Sequence, residues 1–217
     1  MVLPDLTAMA AAAADRAADI LRRAVAARGV AHAMFATGNS QIAFVGDLVS
    51  RADVPWADTV VFHMDEYVGV GPDHPAGFRR WIRERITVPA GPRAAHYFDG
   101  LAPPEEECAR SAGLLARYPL DCKVVVLDAA CRRQQVNEGH FATDADVPTR
   151  AMTVTIPALL RAGRVLAVAP EARKAEPVRR ALEGPVDTAC PASALQHAPH
   201  ATVFLEPESA RLLTPAG

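Results

Sequence analysis

Thr59-Val60-Val61-Phe62-His63-Met64-Asp65-Glu66-Tyr67-Val68-Gly69 is the stretch on which the fold turns. Thr59 to Phe62 is a short β-branched and aromatic run and reads as a buried strand. Two acids, Asp65 and Glu66, follow where that strand should end. In an open α/β sheet, ligands bind beyond the carboxyl ends of the strands. An acid pair there is placed for proton transfer. It is equally placed to cap a turn.

Working outward, the same strand-then-loop pattern recurs. Residues Leu6 to Arg28 are alanine-rich with Ile20, Leu21 and Val25 at helical spacing, and Gly29 is a natural stop. Ala31 to Ala36 reads as a buried strand, followed directly by Thr37-Gly38-Asn39-Ser40 and a helix carrying Ile42, Val45, Leu48 and Val49. A strand, a small polar loop and a helix start make a phosphate-site layout, because helix N-termini offer unpaired N–H groups. Asn and Ser are also ordinary caps, and on its own the loop favours that reading.

Downstream of the acids, Pro75 suits a first helical position, with Phe78, Trp81, Ile82 and Arg85 on one helix face. His74 reads as a loop anchor before a site residue. Further strands are expected at His96–Phe98, Pro119–Leu127, Ala151–Ile156, Arg164–Ala169 and Ala201–Leu205. Helices are expected from Pro103 to Tyr118, Pro157 to Ala162, Pro191 to His197 and Pro207 to Leu213. Ala129 to Val136 reads as helical or irregular, and Asn137-Glu138-Gly139-His140-Phe141 as a glycine-centred turn. Lys174 stands past a strand end and is either an anion partner or a surface lysine. Pro177 requires the helix there to begin after Lys174 or to bend. Alternating strands and helices predict a mostly parallel sheet covered on both faces.

Bulk properties narrow the function. The 217 residues suffice for one α/β domain, expected to span 1–217. A net charge of −2 argues against a nucleic-acid face. No apolar run is long enough to span a bilayer, so no membrane partner is expected. The alanine-rich start is interrupted by Asp15, Arg16 and Asp19, unlike a secretory signal, and a cytoplasmic location is expected. Cys108, Cys122, Cys131 and Cys190 lack metal-site spacing and read as reduced thiols.

Several motifs occur together and in order: Ala36-Thr37-Gly38-Asn39-Ser40, Phe62 to Gly69, Asp73-His74-Pro75 and Arg173-Lys174-Ala175. Leu127-Asp128, Ala151-Met152-Thr153 and Pro191-Ala192-Ser193 continue the series. Over nearly its whole length the chain resembles the glucosamine-6-phosphate deaminase (isomerase) family. That resemblance implies a Rossmann-like three-layer α/β sandwich, shared with 6-phosphogluconolactonases. It implies conversion of an amino-sugar phosphate to fructose 6-phosphate and ammonia, with neither metal nor nucleotide cofactor. By the same resemblance Asp65 matches the proton-shuttling acid. Thr37, Gly38, Asn39 and Ser40 match the phosphate loop, Lys174 the phosphate-binding lysine, and Glu66 a substrate-binding position. The implied partner is a small sugar phosphate; oligomeric state is not legible.

One departure stands out. The family's Gly-Ile-Gly-Glu-Asn-Gly-His-Ile-Ala-Phe-Asn-like loop, whose acid and histidine open the sugar ring, is absent. It should fall between Leu120-Asp121 and Lys123-Val124, so the sequence reads as an internal deletion at 121–123. Asn137 to Phe141 only superficially resembles the lost motif, and no ring-opening role passes to Glu138 or His140. Either a core strand is missing or Lys123 to Leu127 replaces it. Two alternatives therefore accompany deamination: a sugar-phosphate-binding protein impaired in turnover, and a 6-phosphogluconolactonase-like hydrolase. The second would want a histidine near the site.

Overall fold

A computed structural model describes residues 1–125, 135–137 and 139–214. The expectations for Val126 to Gln134, including Leu127, Asp128 and Cys131, and for Glu138 lie outside the described residues.

The first helix, α1 (Leu6–Arg28), has the bounds expected from sequence. The Asp5 side chain caps it by accepting from the Ala8 amide at 2.8 Å. Gly29 closes it at φ 74°, a left-handed conformation that costs glycine little. Its alanines form the buried face and let the helix lie close over the sheet.

The strands are β1 (Ala31–Phe35), β2 (Thr59–His63), β3 (Asp65–Tyr67), β4 (Ala94–His96), β5 (Cys122–Val125), β6 (Ala151–Thr153), β7 (Arg164–Val168) and β8 (Ala201–Phe204). Six form one sheet in the order β4-β2-β1-β5-β7-β8. Every pairing in it is parallel. All five residues of β1 and of β2 are buried, as expected of strands covered on both faces. The two remaining strands, β3 and β6, pair antiparallel as a separate ribbon beyond the end of β2.

Helices cover both faces. On one side α1 and α2 (Ile42–Ser50) pack on Phe35, Val61, Val124 and Leu166, with the short α3 (Phe78–Ile82) and α4 (Val88–Ala90) following them in the chain. On the other, α5 (Pro104–Arg117) and α6 (Ile156–Leu160) pack around Met34, Phe62 and Val165. Further along that side, α7 (Ala175–Glu183) buries Val178 and Ala181 against Ala167 and Ala169. The chain ends in α8 (Pro207–Ala210).

No place in the sheet is empty. β5 lies between β1 and β7, with Met34 opposite Lys123 and Lys123 opposite Val165. The Lys123 segment thus supplies the strand between β1 and β7.

One helix start differs from expectation. The helix after the acids, α3 (Phe78–Ile82), begins at Phe78 and not at Pro75. Pro75 instead sits in a turn, where the His74 carbonyl accepts from Gly77 N–H at 2.9 Å. His74 anchors that loop, its Nδ1 accepting from the Ala76 amide at 3.1 Å. The expectation set by Pro177 is met: α7 starts at Ala175, after a 3₁₀ turn over Ala172–Lys174. Pro177 is then in the first turn, where a missing N–H removes no helical bond.

Candidate active site

The strand order reverses at β1. From there the chain moves outward to β2 and β4, then returns on β1's other side as β5. Such a reversal leaves a crevice at the carboxyl ends of the two strands. A cavity of about 380 Å³ lies there. It is lined by Ala36, Thr37, Gly38 and Ser40 after β1, by Met64 and Asp65 after β2, and by Lys123 and Val125 of β5. Thr153 of β6, Gln135 and an apolar wall including Ile156, Leu159 and Leu195 complete it. A pocket of this volume, mostly apolar with a few convergent polar groups, suits a small ligand.

The loop after β1 is held at both ends. Gly38 adopts φ 112° and leads into a 3₁₀ turn, Asn39–Gln41, that runs straight into α2. Gln41 is buried and its Nε2 donates to the Val168 carbonyl at 3.1 Å. That bond ties the loop to the end of β7, across the end of β5.

Asp65 opens β3 and is partly buried, opposite Thr153. Burial, then the neighbouring Glu66 charge, push its carboxyl up to about 7, with Lys123 pulling the other way. A carboxyl near neutrality in a cleft is suited to taking and returning a proton.

Glu66 points elsewhere. Its side chain accepts from the backbone amides of Tyr67, Phe78 and Arg79 at 2.9, 3.2 and 2.8 Å. Alternate residues of a strand face opposite ways, so neighbouring acids part company. Burial raises the Glu66 pKa, and those three amides oppose the rise. Expected at a substrate-binding position, Glu66 instead caps the start of α3 and is not part of the cavity lining.

Of the remaining expected site residues, Thr37, Gly38 and Ser40 come together with Asp65. Asn39 is exposed and Lys174 is buried in the turn after β7; neither lines the cavity. His140 lines a small crevice of about 20 Å³ next door, together with Thr37, Gly38 and Gln135.

Sequence reasoning missed Lys123. It is 1 % exposed, in the middle of the sheet, and its side chain is on the cavity side. Burial brings its ammonium down to about 7 while Asp65 resists the fall. The signal was available: a lysine inside the apolar run Cys122-Lys123-Val124-Val125 has no ordinary reason to be in a core strand. Among the described residues no group of three or more His, Cys, Asp or Glu is arranged to hold a metal ion. No described helix is long and apolar enough to cross a membrane.

No protein-family model matches the chain. The glucosamine-6-phosphate deaminase of Listeria innocua is 28% identical over 227 aligned residues, covering 93% of this chain and 96% of that one. The enzyme of that name from Exiguobacterium sibiricum is 31% identical over 203 residues, covering 82% and 80%. Among solved structures, a monomeric glucosamine-6-phosphate deaminase superposes with a TM-score of 0.87 at 22% identity, over 98% of both chains. The 6-phosphogluconolactonase of Trypanosoma brucei gives 0.79 at 16% identity, over 99% of this chain and 98% of that one. These superpositions establish the Rossmann-like fold. On the sequence matches, the chain is an enzyme of the glucosamine-6-phosphate deaminase family.

Proposed function

We propose that the protein converts glucosamine 6-phosphate to fructose 6-phosphate and ammonia, with Asp65 moving the proton. The observation that carries this reading is a carboxyl raised to about 7 on the wall of a cavity at the sheet's reversal point.

In the open-chain sugar the C1 aldehyde acidifies the C2 hydrogen. The Asp65 carboxylate takes that proton and returns it to C1 while a proton passes from the C2 amine to O1, so the C1 carbonyl becomes an alcohol and C2 an imine. Water adds at C2 and ammonia leaves, producing the ketose. Thr37, Gly38 and Ser40 hold the phosphate, their hydroxyls and backbone amides suiting its oxygens. Asn39 belongs to the same loop. Lys174 contributes positive charge from the neighbouring turn, which the Gln41–Val168 bond keeps close.

The test is release of ammonia with equimolar fructose 6-phosphate from purified protein. Release by wild type and its loss in Asp65→Asn support the reading. Hydrolysis of 6-phosphogluconolactone without ammonia release would replace it with the lactonase alternative. Tight sugar-phosphate binding without turnover would replace it with a binding role.

A further inference from the structure

We propose that Lys123 is the acid–base group that opens the sugar ring. The inference rests on the deaminase reading above, because proton transfer at C2 needs the open-chain aldehyde.

The cavity wall leaves few other candidates. Among the described residues that line it, Asp65 and Lys123 are the ionisable side chains. Thr37, Ser40, Thr153 and Gln135 are polar but do not exchange protons near neutrality. His140 lies in the adjoining crevice.

The register explains why Lys123 faces the cavity. Cys122 and Val124 join the core beneath α1 and α2. Lys123 and Val125 alternate to the opposite face and line the cavity. The charge that acts on the Lys123 amine is the Asp65 carboxylate, on the same cavity wall. Burial disfavours the charged ammonium more than Asp65 favours it, so this lysine gives up its proton more readily than an exposed one. Its burial brings it to about 7, within the range a proton relay requires.

Ring opening balances on this one amine. The neutral amine takes the proton from O1–H as the C1–O5 bond breaks and C1=O1 forms. The resulting ammonium then gives that proton to O5. No proton is gained or lost, and Asp65 is left free for the C2 hydrogen.

The test separates ring opening from deamination. Exchange between the α and β anomers requires the ring to open, and NMR exchange spectroscopy reads it directly. Glucose 6-phosphate is the probe, since it has no amine to lose. Wild type is expected to accelerate exchange, and Lys123→Met to reduce the enzyme-catalysed rate about 10²–10⁴-fold at saturating sugar. Methionine preserves the apolar stem, and its far-ultraviolet circular dichroism and urea midpoint report whether the sheet is intact. Should that variant not fold, Lys123→Arg provides the same reading, because a guanidinium cannot relay protons at neutrality. Unchanged exchange at saturation in a folded variant would overturn the proposal. So would a raised KM with unchanged saturated rate, which would make Lys123 a phosphate anchor. If wild type accelerates anomer exchange yet releases no ammonia, the ring-opening role stands and the deaminase reading fails.

Discussion

The Glu66 carboxylate accepts a hydrogen bond from the Arg79 backbone amide at 2.8 Å, fastening the acid pair's second member to the first turn of α3. Its neighbour Asp65 faces the cavity. Adjacent acids thus have opposite duties, and their amide variants should separate them. Glu66→Gln replaces one acceptor oxygen by an NH₂ group that cannot accept from a backbone amide. We expect a loss of about 1–3 kcal/mol in urea denaturation, with substrate turnover affected far less than in Asp65→Asn. Equal stability of Glu66→Gln and wild type would contradict the capping role.

Asp65→Asn should show the reverse. Turnover is expected to fall about 10²–10⁴-fold, since asparagine cannot carry the proton. Stability should move in the variant's favour at high pH. The folded carboxyl is raised to about 7 from an ordinary 3.8, so the folded state binds more protons between those values. Wild type therefore loses stability as pH rises from about 4 to about 7. Urea midpoints should favour Asp65→Asn at pH 8, and the gap should close near pH 4. A variant less stable than wild type at pH 8 would count against the raised carboxyl.

Under the proposed mechanism the same titration should set activity. Below about 7 the Asp65 carboxyl is protonated and cannot accept the C2 hydrogen. The kcat/KM profile should therefore rise through neutrality, losing about tenfold per unit on the acid side for Asp65 alone and about a hundredfold where Lys123 must also be neutral. A profile flat from pH 5 to 8 would show that no group near neutrality governs the reaction.

His63 gives a stability signature of opposite sign. It is buried at the end of β2, its Nδ1 accepting from the Phe98 amide at 3.3 Å. Burial, then the nearby Arg79 charge, hold its pKa down to about 3. The unfolded state binds the extra proton between about 3 and 6.5, so stability rises with pH across that window and is lost on acidification. One such group contributes a slope of about 1.4 kcal/mol per pH unit. His63→Gln should flatten the acid-side loss relative to wild type; identical slopes would place the acid sensitivity elsewhere.

Gln41 joins the loop after β1 to β7. Gln41→Met leaves the buried Val168 carbonyl without its 3.1 Å donor. A destabilisation of about 1–3 kcal/mol is expected, with KM for the sugar phosphate raised more than kcat is lowered. An unchanged KM would mean that the loop keeps its shape without the bond.

Much of this architecture was legible because it is locally encoded. Asp5 and Gly29 bracket α1, and the strand cores are apolar runs between clear breakers. What escaped depends on contacts distant in sequence. Nothing near Pro75 says that α3 waits for Glu66 to cap Phe78 and Arg79. Nothing in the alternation of Ala151 to Ile156 tells that its strand leaves the main sheet to pair with Asp65–Tyr67. For the site, the loop Thr37–Ser40 and Asp65 were readable as strand-end residues, whereas the orientation of Glu66 needed the strand's alternation to be placed against α3. Lys123 was readable in principle, as a charge inside an apolar strand, but its meaning depends on which face of β5 meets the cavity.

The most direct measurement follows glucosamine 6-phosphate by NMR in deuterated buffer, with wild type and Asp65→Asn side by side. The account predicts that wild type releases ammonia and yields fructose 6-phosphate carrying the former C2 hydrogen at C1, diluted by deuterium only as far as the Asp65 carboxyl exchanges with solvent, while Asp65→Asn does neither at a comparable rate. Retention of the hydrogen at C2 in the presence of wild type, or equal conversion by both proteins, would contradict it.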